Sequence, residues 1–131
     1  MRRLAGLALL FVASAAHAEL PSATPAAVNQ ALMAGKPAVI DLGARSCVQC
    51  KKMAPILETL AAEYRGKAGV LFIDVSADSA AADRFKVRLI PTQIFFDAQG
   101  KEVKRHVGYM DKAGIVKELK SAGLKWPFST T

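Results

Sequence analysis

The 131-residue sequence is short of metal ligands, aromatic rings and long apolar runs, and each shortage excludes something. It has two cysteines and two histidines, and beyond residue 18 only Cys47, Cys50 and His106 remain. A closed zinc site wants four such ligands, so no metal and no cofactor is expected. A c-type haem attachment needs His directly after the second cysteine, and Lys51 stands there instead. Aromatic residues make up 7%, and the basic residues Lys36, Arg45, Lys51, Lys52, Arg84 and Arg105 are scattered over several predicted elements. No stripe able to track a phosphate backbone emerges, which argues against a nucleic-acid partner. The most apolar stretch, Leu4 to Ala16, is about 13 residues, short of the ~20 that span a hydrocarbon core as a helix. The length suits one small domain and leaves no room for a second core.

What the sequence does contain is a mixture of 52% apolar and 22% charged residues, the composition of a compact globule. Met1-Arg2-Arg3, the apolar stretch and the small residues of Ala16-His17-Ala18 together have the three regions of a secretory signal peptide. The expectation is cleavage after Ala18, with residues 1–18 as signal and 19–131 as the mature domain; left uncleaved, the same stretch could tether the protein to a membrane. Removing Arg2 and Arg3 lowers the formal charge from +7 to +5, a mild excess. Export places the cysteine pair in the periplasm or outside the cell, where disulfides form and persist.

Glu19 to Pro25 reads as an extended lead-in. Ala26, Ala27, Gln30, Ala31, Leu32 and Met33 suit a short helix ending at Gly35, and Pro37 bars its continuation. Ala38 to Leu42 is an apolar strand interrupted by Asp41. Met53, Ile56, Leu57, Leu60, Ala61 and Tyr64 recur at the spacing of one helical face, up to Gly66. Val70 to Val75 is a second strand, and Asp78 or Ser79 caps a short helix through Phe85. Ile94-Phe95-Phe96, the turn Asp97-Ala98-Gln99-Gly100 and Val103 to Val107 form a hairpin. Asp111 caps a last helix bearing Ile115, Val116 and Leu119, and the tail Trp126 to Thr131 is expected to fold its aromatics onto the body. Helix–strand alternation predicts parallel strands first and an antiparallel pair at the end. The fold class is therefore α/β, a mixed sheet flanked by helices on both faces.

Cys47 and Cys50 stand three apart where a strand gives way to a helix. A fixed disulfide closing so short a loop removes little entropy from the unfolded chain, so it is a poor staple. A redox-active dithiol is the better reading. If the helix begins at Cys47, its unpaired N–H groups and positive dipole end stabilise a thiolate there, while its first turn covers the second sulfur. Asp41, six residues earlier, leaves two readings open: an edge-strand acid facing water, or a buried carboxyl that takes the proton of Cys50. His106, on the last predicted strand, reads as a surface residue. Lys51 and Lys52 read as a solvated helix face.

Val39-Ile40-Asp41-Leu42-Gly43-Ala44-Arg45-Ser46-Cys47-Val48-Gln49-Cys50-Lys51-Lys52-Met53-Ala54-Pro55-Ile56-Leu57 resembles the active-site strand and helix of the thioredoxin family. Phe85 to Thr92 resembles that family's approach to its cis-proline, and Gly100 with Val107-Gly108 its closing hairpin. The resemblance runs from about Ala26 to Leu124. It implies a thioredoxin-like fold, with Cys47 as the exposed nucleophile, Cys50 as the resolving thiol and Asp41 managing protons. It also implies that Pro91 is cis and packs beside the sulfurs, so that the backbone of Ile90 pairs with a substrate segment laid alongside as an added strand. Read without the family, Ile90-Pro91 is simply a strand entry.

Two departures from the family pattern bear on specificity. Ser46 replaces the tryptophan common before the first cysteine, and Val48-Gln49 replaces Gly-Pro between the pair, so Val48 and Gln49 belong to the substrate-binding set. Val after the first cysteine resembles exported reductases of the cytochrome-maturation type and the electron-delivering domain of a transmembrane thiol transporter. Strong oxidants of the family tend to carry His in this dipeptide, and none is present. The expectation is a monomeric thiol–disulfide oxidoreductase that reduces exported proteins and is recharged by a membrane thiol donor. The rivals are a disulfide oxidase or isomerase and a non-catalytic thioredoxin-fold binding module.

Overall fold

The computed structural model describes residues 19–125, so the signal read over residues 1–18 and the aromatic tail from Trp126 lie outside the described residues. The element order is α1 (Pro25–Leu32), β1 (Ala38–Gly43), α2 (Val48–Glu63), β2 (Gly69–Asp74), α3 (Ser79–Arg84), β3 (Thr92–Phe96), β4 (Glu102–Val107) and α4 (Lys112–Ser121). The strands form one mixed sheet in the order β2-β1-β3-β4. β1 and β2 run parallel, as a strand–helix–strand unit requires. β3 enters between β1 and β4 and is antiparallel to both, a pairing that helix–strand alternation alone did not specify.

Alternation along β1 sorts the core onto two faces. Val39 packs with Met53, Leu57, Leu60 and Tyr64 at the α2 side, together with Phe95 of β3 and Ile115 and Leu119 of α4. Ala38, Ile40 and Leu42 face the other way, onto Val28 of α1 and Ala81 of α3. Each fully buried Leu, Ile or Phe contributes about 1.5–3 kcal/mol through the apolar surface it removes from water. β1 is buried along its whole length because it has a strand on either side and a helix layer on each face.

Local chemistry accounts for the element ends. Thr24, Asp78 and Asp111 are N-caps whose side chains accept N–H groups of the first turns of α1, α3 and α4. The β3–β4 turn needs glycine twice over. Gly100 has φ +76, and a Cβ there would sit 2.5 Å from the carbonyl oxygen of Leu32. Two details of α1 correct the sequence reading. The helix ends at Leu32, so Met33 is its C-cap and is 83% exposed rather than part of the apolar face, and Val28 is the residue that anchors the helix to the sheet. The lead-in forms one parallel bridge, Ser22 to Phe72, with Ala23 N–H donating to the Phe72 carbonyl at 2.7 Å, so the outer edge of β2 is paired over only a short length.

Candidate active site

β1 ends at Gly43, and the chain turns through Ala44 to Ser46 before α2 begins. Cys47 is the N-cap of α2, with extended backbone angles (φ −78, ψ 125), and its Sγ accepts the N–H of Cys50 at 3.3 Å. The first sulfur therefore sits where the unpaired N–H groups and positive end of a 16-residue helix gather, an arrangement that stabilises negative charge on a sulfur that attacks or leaves. Cys47 is partly exposed, and Cys50, one turn in, is buried; both are free thiols. Ser46, Val48, Gln49, Lys51 and Lys52 are all exposed around them.

Burial, first, and the hydrogen bond with Cys47, second, push the Cys50 thiol up to about 12. Its sulfur lies over the backbone of Gly43, where an added Cβ would come within 2.9 Å of Cys50 Sγ. Two residues back on the same face of β1 stands Asp41, which has no solvent exposure. The edge-strand reading of this acid is excluded, because β1 is flanked by β2 and β3. Burial raises Asp41 from 3.8 to about 6, against a hydrogen bond from Gln93 that lowers it. Gln93 Nε2 donates to Asp41 Oδ1 at 2.9 Å, whereas Oδ2 is buried with no hydrogen-bond partner among the described residues.

The register extends this arrangement into a row across the sheet. Phe72, Asp41, Gln93 and His106 are successive cross-strand partners on β2, β1, β3 and β4. Gln93 Oε1 and His106 Nδ1 are 2.8 Å apart, so His106 is a half-buried partner of the core amide and not a free surface residue. Neither Gln93 nor this link was read from the sequence. The available signal was a polar residue directly preceding the apolar run Ile94 to Phe96. Arg45 was also missed: it stacks 4.8 Å over the ring of Phe72, pairs with Glu19 at 2.7 Å and donates to the Leu20 carbonyl, closing the β2 side of the site.

The Ile90–Pro91 peptide bond is cis. Pro91 is buried, its carbonyl accepts the N–H of Gly108 at 2.8 Å, and Ile90 is 37% exposed. Leu42 pairs with Thr92, so by continuation of the register Pro91 stands opposite Gly43, at the end of the sheet where α2 begins. Exposed Val48 and Leu89, 67% and 66% accessible, give this end of the molecule an apolar rim. Among the described residues no cluster of three or more His, Cys, Asp or Glu side chains could hold a metal ion. The arrangement is suited to thiol–disulfide exchange, with one sulfur reachable, a second behind it and a carboxyl below.

Comparison with known proteins agrees with this geometry. The thioredoxin family model matches residues 19–121. Thioredoxin from Staphylococcus aureus is 40% identical over 81 residues, which cover 62% of this chain and 77% of that protein. The bifunctional thioredoxin reductase/thioredoxin of Mycobacterium leprae is 40% identical over 88 residues, 67% of this chain, and the chain spans only 19% of that longer protein. Among solved structures, a mutant thioredoxin from Halobacterium salinarum NRC-1 superimposes with a TM-score of 0.69 at 28% identity, covering 79% of this chain and 88% of its own. Chloroplastic thioredoxin z shares the fold, with a TM-score of 0.68 at 21% identity over 80% of this chain and 95% of its own. A helix-capping cysteine, a buried partner thiol and a buried acid thus lie within a match that takes in most of the sequence, and the chain belongs to the thioredoxin family.

Proposed function

We propose that the protein is a reductant of disulfides in exported proteins, working outside the cytosol and recharged by a membrane thiol donor. Its family membership and the Cys47–Cys50 pair make it a thiol–disulfide oxidoreductase. The observation that carries the chemistry is the pairing of a half-exposed N-cap sulfur with a buried thiol whose own N–H it accepts. Cys47 thiolate attacks one sulfur of a substrate disulfide, forming a Cys47–substrate disulfide and releasing the other substrate sulfur as thiolate, which takes a proton from solvent.

Cys50 must then ionise, and at about 12 it does so rarely near neutral pH. Two of the causes that hold it there, the hydrogen bond and the charge repulsion from Cys47, disappear once Cys47 is bound to substrate. Asp41, at about 6, is mostly a carboxylate at neutral pH, its charge acts on Cys50, and its buried Oδ2 has no hydrogen-bond partner among the described residues. It takes the Cys50 proton as Cys50 attacks Cys47 Sγ, closing the intramolecular disulfide and expelling the second substrate thiolate. Two electrons pass from the dithiol to the substrate disulfide, and both substrate sulfurs end as thiols.

The absence of an ionisable residue at Val48-Gln49 supports the reducing direction, since no side-chain cation there favours the dithiol form over the disulfide. Exposed Val48, Leu89 and Ile90 supply the apolar contacts for a substrate segment laid along the Ile90–Pro91 backbone. The basic start Met1-Arg2-Arg3, the apolar stretch Leu4 to Ala16 and the small residues of Ala16-His17-Ala18 support export. The deciding measurement is the redox potential of the pair in glutathione buffers, together with insulin-disulfide reduction. A potential above about −150 mV would reverse the proposed direction of electron flow. Cell fractionation with N-terminal sequencing tests export, and the expected first residue of the mature chain is Glu19.

A further inference from the structure

We propose that His106 is a positioning residue for the resolving step: its Nδ1–H holds the Gln93 carbonyl oxygen, which commits the Gln93 amide N–H to Asp41 Oδ1 and leaves Oδ2 to receive the Cys50 proton. The inference rests on the function proposed above and deepens it. Gln93 has no solvent exposure, and a buried amide costs free energy unless both of its ends are bonded. Its two neighbours in the row dictate its direction. An ionised carboxylate only accepts, so the Asp41 side must receive the NH2 group. The carbonyl oxygen is then turned to His106, and at 2.8 Å it can be satisfied only by an imidazole that carries its proton on Nδ1.

Cross-strand register holds all three side chains on one face, so the chain of bonds follows from pairings Asp41 to Gln93 and Gln93 to His106. Without the imidazole donor, Gln93 Oε1 is orphaned in the core, and the amide regains its freedom to flip or to turn towards water through the vacated space. Asp41 then loses the hydrogen bond that opposes the effect of its burial. Ionised base becomes scarcer near neutral pH, and the Cys50 step slows while Cys47 remains at its helix end.

The groups around Asp41 leave few other sources for such an effect. From α2 it faces Cys50 and, beyond it, Cys47. β2 places the apolar ring of Phe72 beside it, and Arg45 stacks on that ring. β3 supplies Gln93, β4 supplies His106 with Lys104 two residues away on the same strand face, and α4 contributes the apolar Ile115 and Leu119.

Stopped-flow reaction of the reduced full-length protein with Ellman's disulfide tests this directly, since attack by Cys47 releases one thionitrobenzoate and attack by Cys50 a second. The reading of the site as a reductase requires that Cys47→Ser lose both phases and Cys50→Ser only the second. Given that, the second phase of the unsubstituted protein should show an inflection near pH 6. In Gln93→Leu and His106→Ala the inflection should move up by about one unit, leaving the second phase several-fold slower at pH 6. His106→Asn places an amide N–H close to the position of Nδ1 and should restore the inflection. An unchanged inflection in His106→Ala, or a shift in His106→Asn as large as in His106→Ala, overturns the positioning role while leaving the reductase reading intact. Melting curves of each variant separate a local effect from loss of the fold.

Discussion

Asp41 and Gln93 are separated by 52 residues in sequence and joined by a 2.9 Å hydrogen bond across the centre of the sheet. That bond opposes, without cancelling, the effect of burial on the carboxyl, which stays raised to about 6. Asp41 is consequently a group that the fold tolerates at a cost in stability, and the cost depends on pH.

The folded protein holds the Asp41 proton up to about pH 6 and the unfolded chain only up to about 3.8. Between those values the native state binds more protons, so stability falls as pH rises through the window and is constant above it. Asp41→Asn removes the effect. Its gain over the unsubstituted protein should be absent below pH 4 and should level off above pH 6 near about 3 kcal/mol, less the cost of the new amide N–H. Urea unfolding at three pH values checks both the sign and the plateau, and the same substitution should slow disulfide reduction.

Alkylation should distinguish the two sulfurs. Cys47 is partly exposed and Cys50 is 5% exposed with its thiol pushed up to about 12. Limiting iodoacetamide near neutral pH should give a single adduct, located at Cys47 by peptide mass spectrometry. Modification of Cys50 in the folded protein, at a rate comparable to Cys47, would contradict this arrangement.

Gly43 is set by contact rather than by backbone angle. A Cβ at this position would lie 2.9 Å from Cys50 Sγ, 3.2 Å from Cys50 Cβ and 3.3 Å from the ring of Phe72. Gly43→Ala should therefore destabilise the fold by about 1–3 kcal/mol, the usual range for overpacking, and displace the resolving sulfur. The expected result is a lowered Tm together with a slower Cys50 step, and a variant that melts and turns over normally would show that Cys50 has room to move.

Substitution of the sulfurs themselves should separate the two halves of the reaction. Cys47→Ser should reduce insulin disulfides no faster than background, because the attacking thiolate is gone. Cys50→Ala should instead accumulate covalent Cys47–substrate disulfides, visible on non-reducing gels and released by dithiothreitol. Unchanged turnover in either variant would remove the pair from the chemistry.

Much of this architecture is legible because its signals are local. The 3.6-residue spacing from Met53 to Tyr64, the caps Asp78 and Asp111 and the glycine of the Asp97–Gly100 turn each act over a few residues, and the corresponding elements appear where those signals place them. The helix start at the first cysteine belongs to the same class, since a C-x-x-C pair at a strand-to-helix junction puts one sulfur at the cap and the other inside the first turn. Met33 shows the limit of such reasoning: it fits the periodicity of α1, but the helix stops one residue short of it.

By itself, then, the sequence determined the elements, their order and the presence of a reactive sulfur pair, because backbone preference and hydrophobic spacing operate between near neighbours. Only the tertiary structure decided that Asp41 is interior, that β3 lies between β1 and β4, and that Gln93 and His106 continue the acid's hydrogen bonds across the sheet. Those facts depend on strand order and register, which are settled by how whole faces pack together, and a shift of one residue in either pairing would turn the same side chains to the opposite layer.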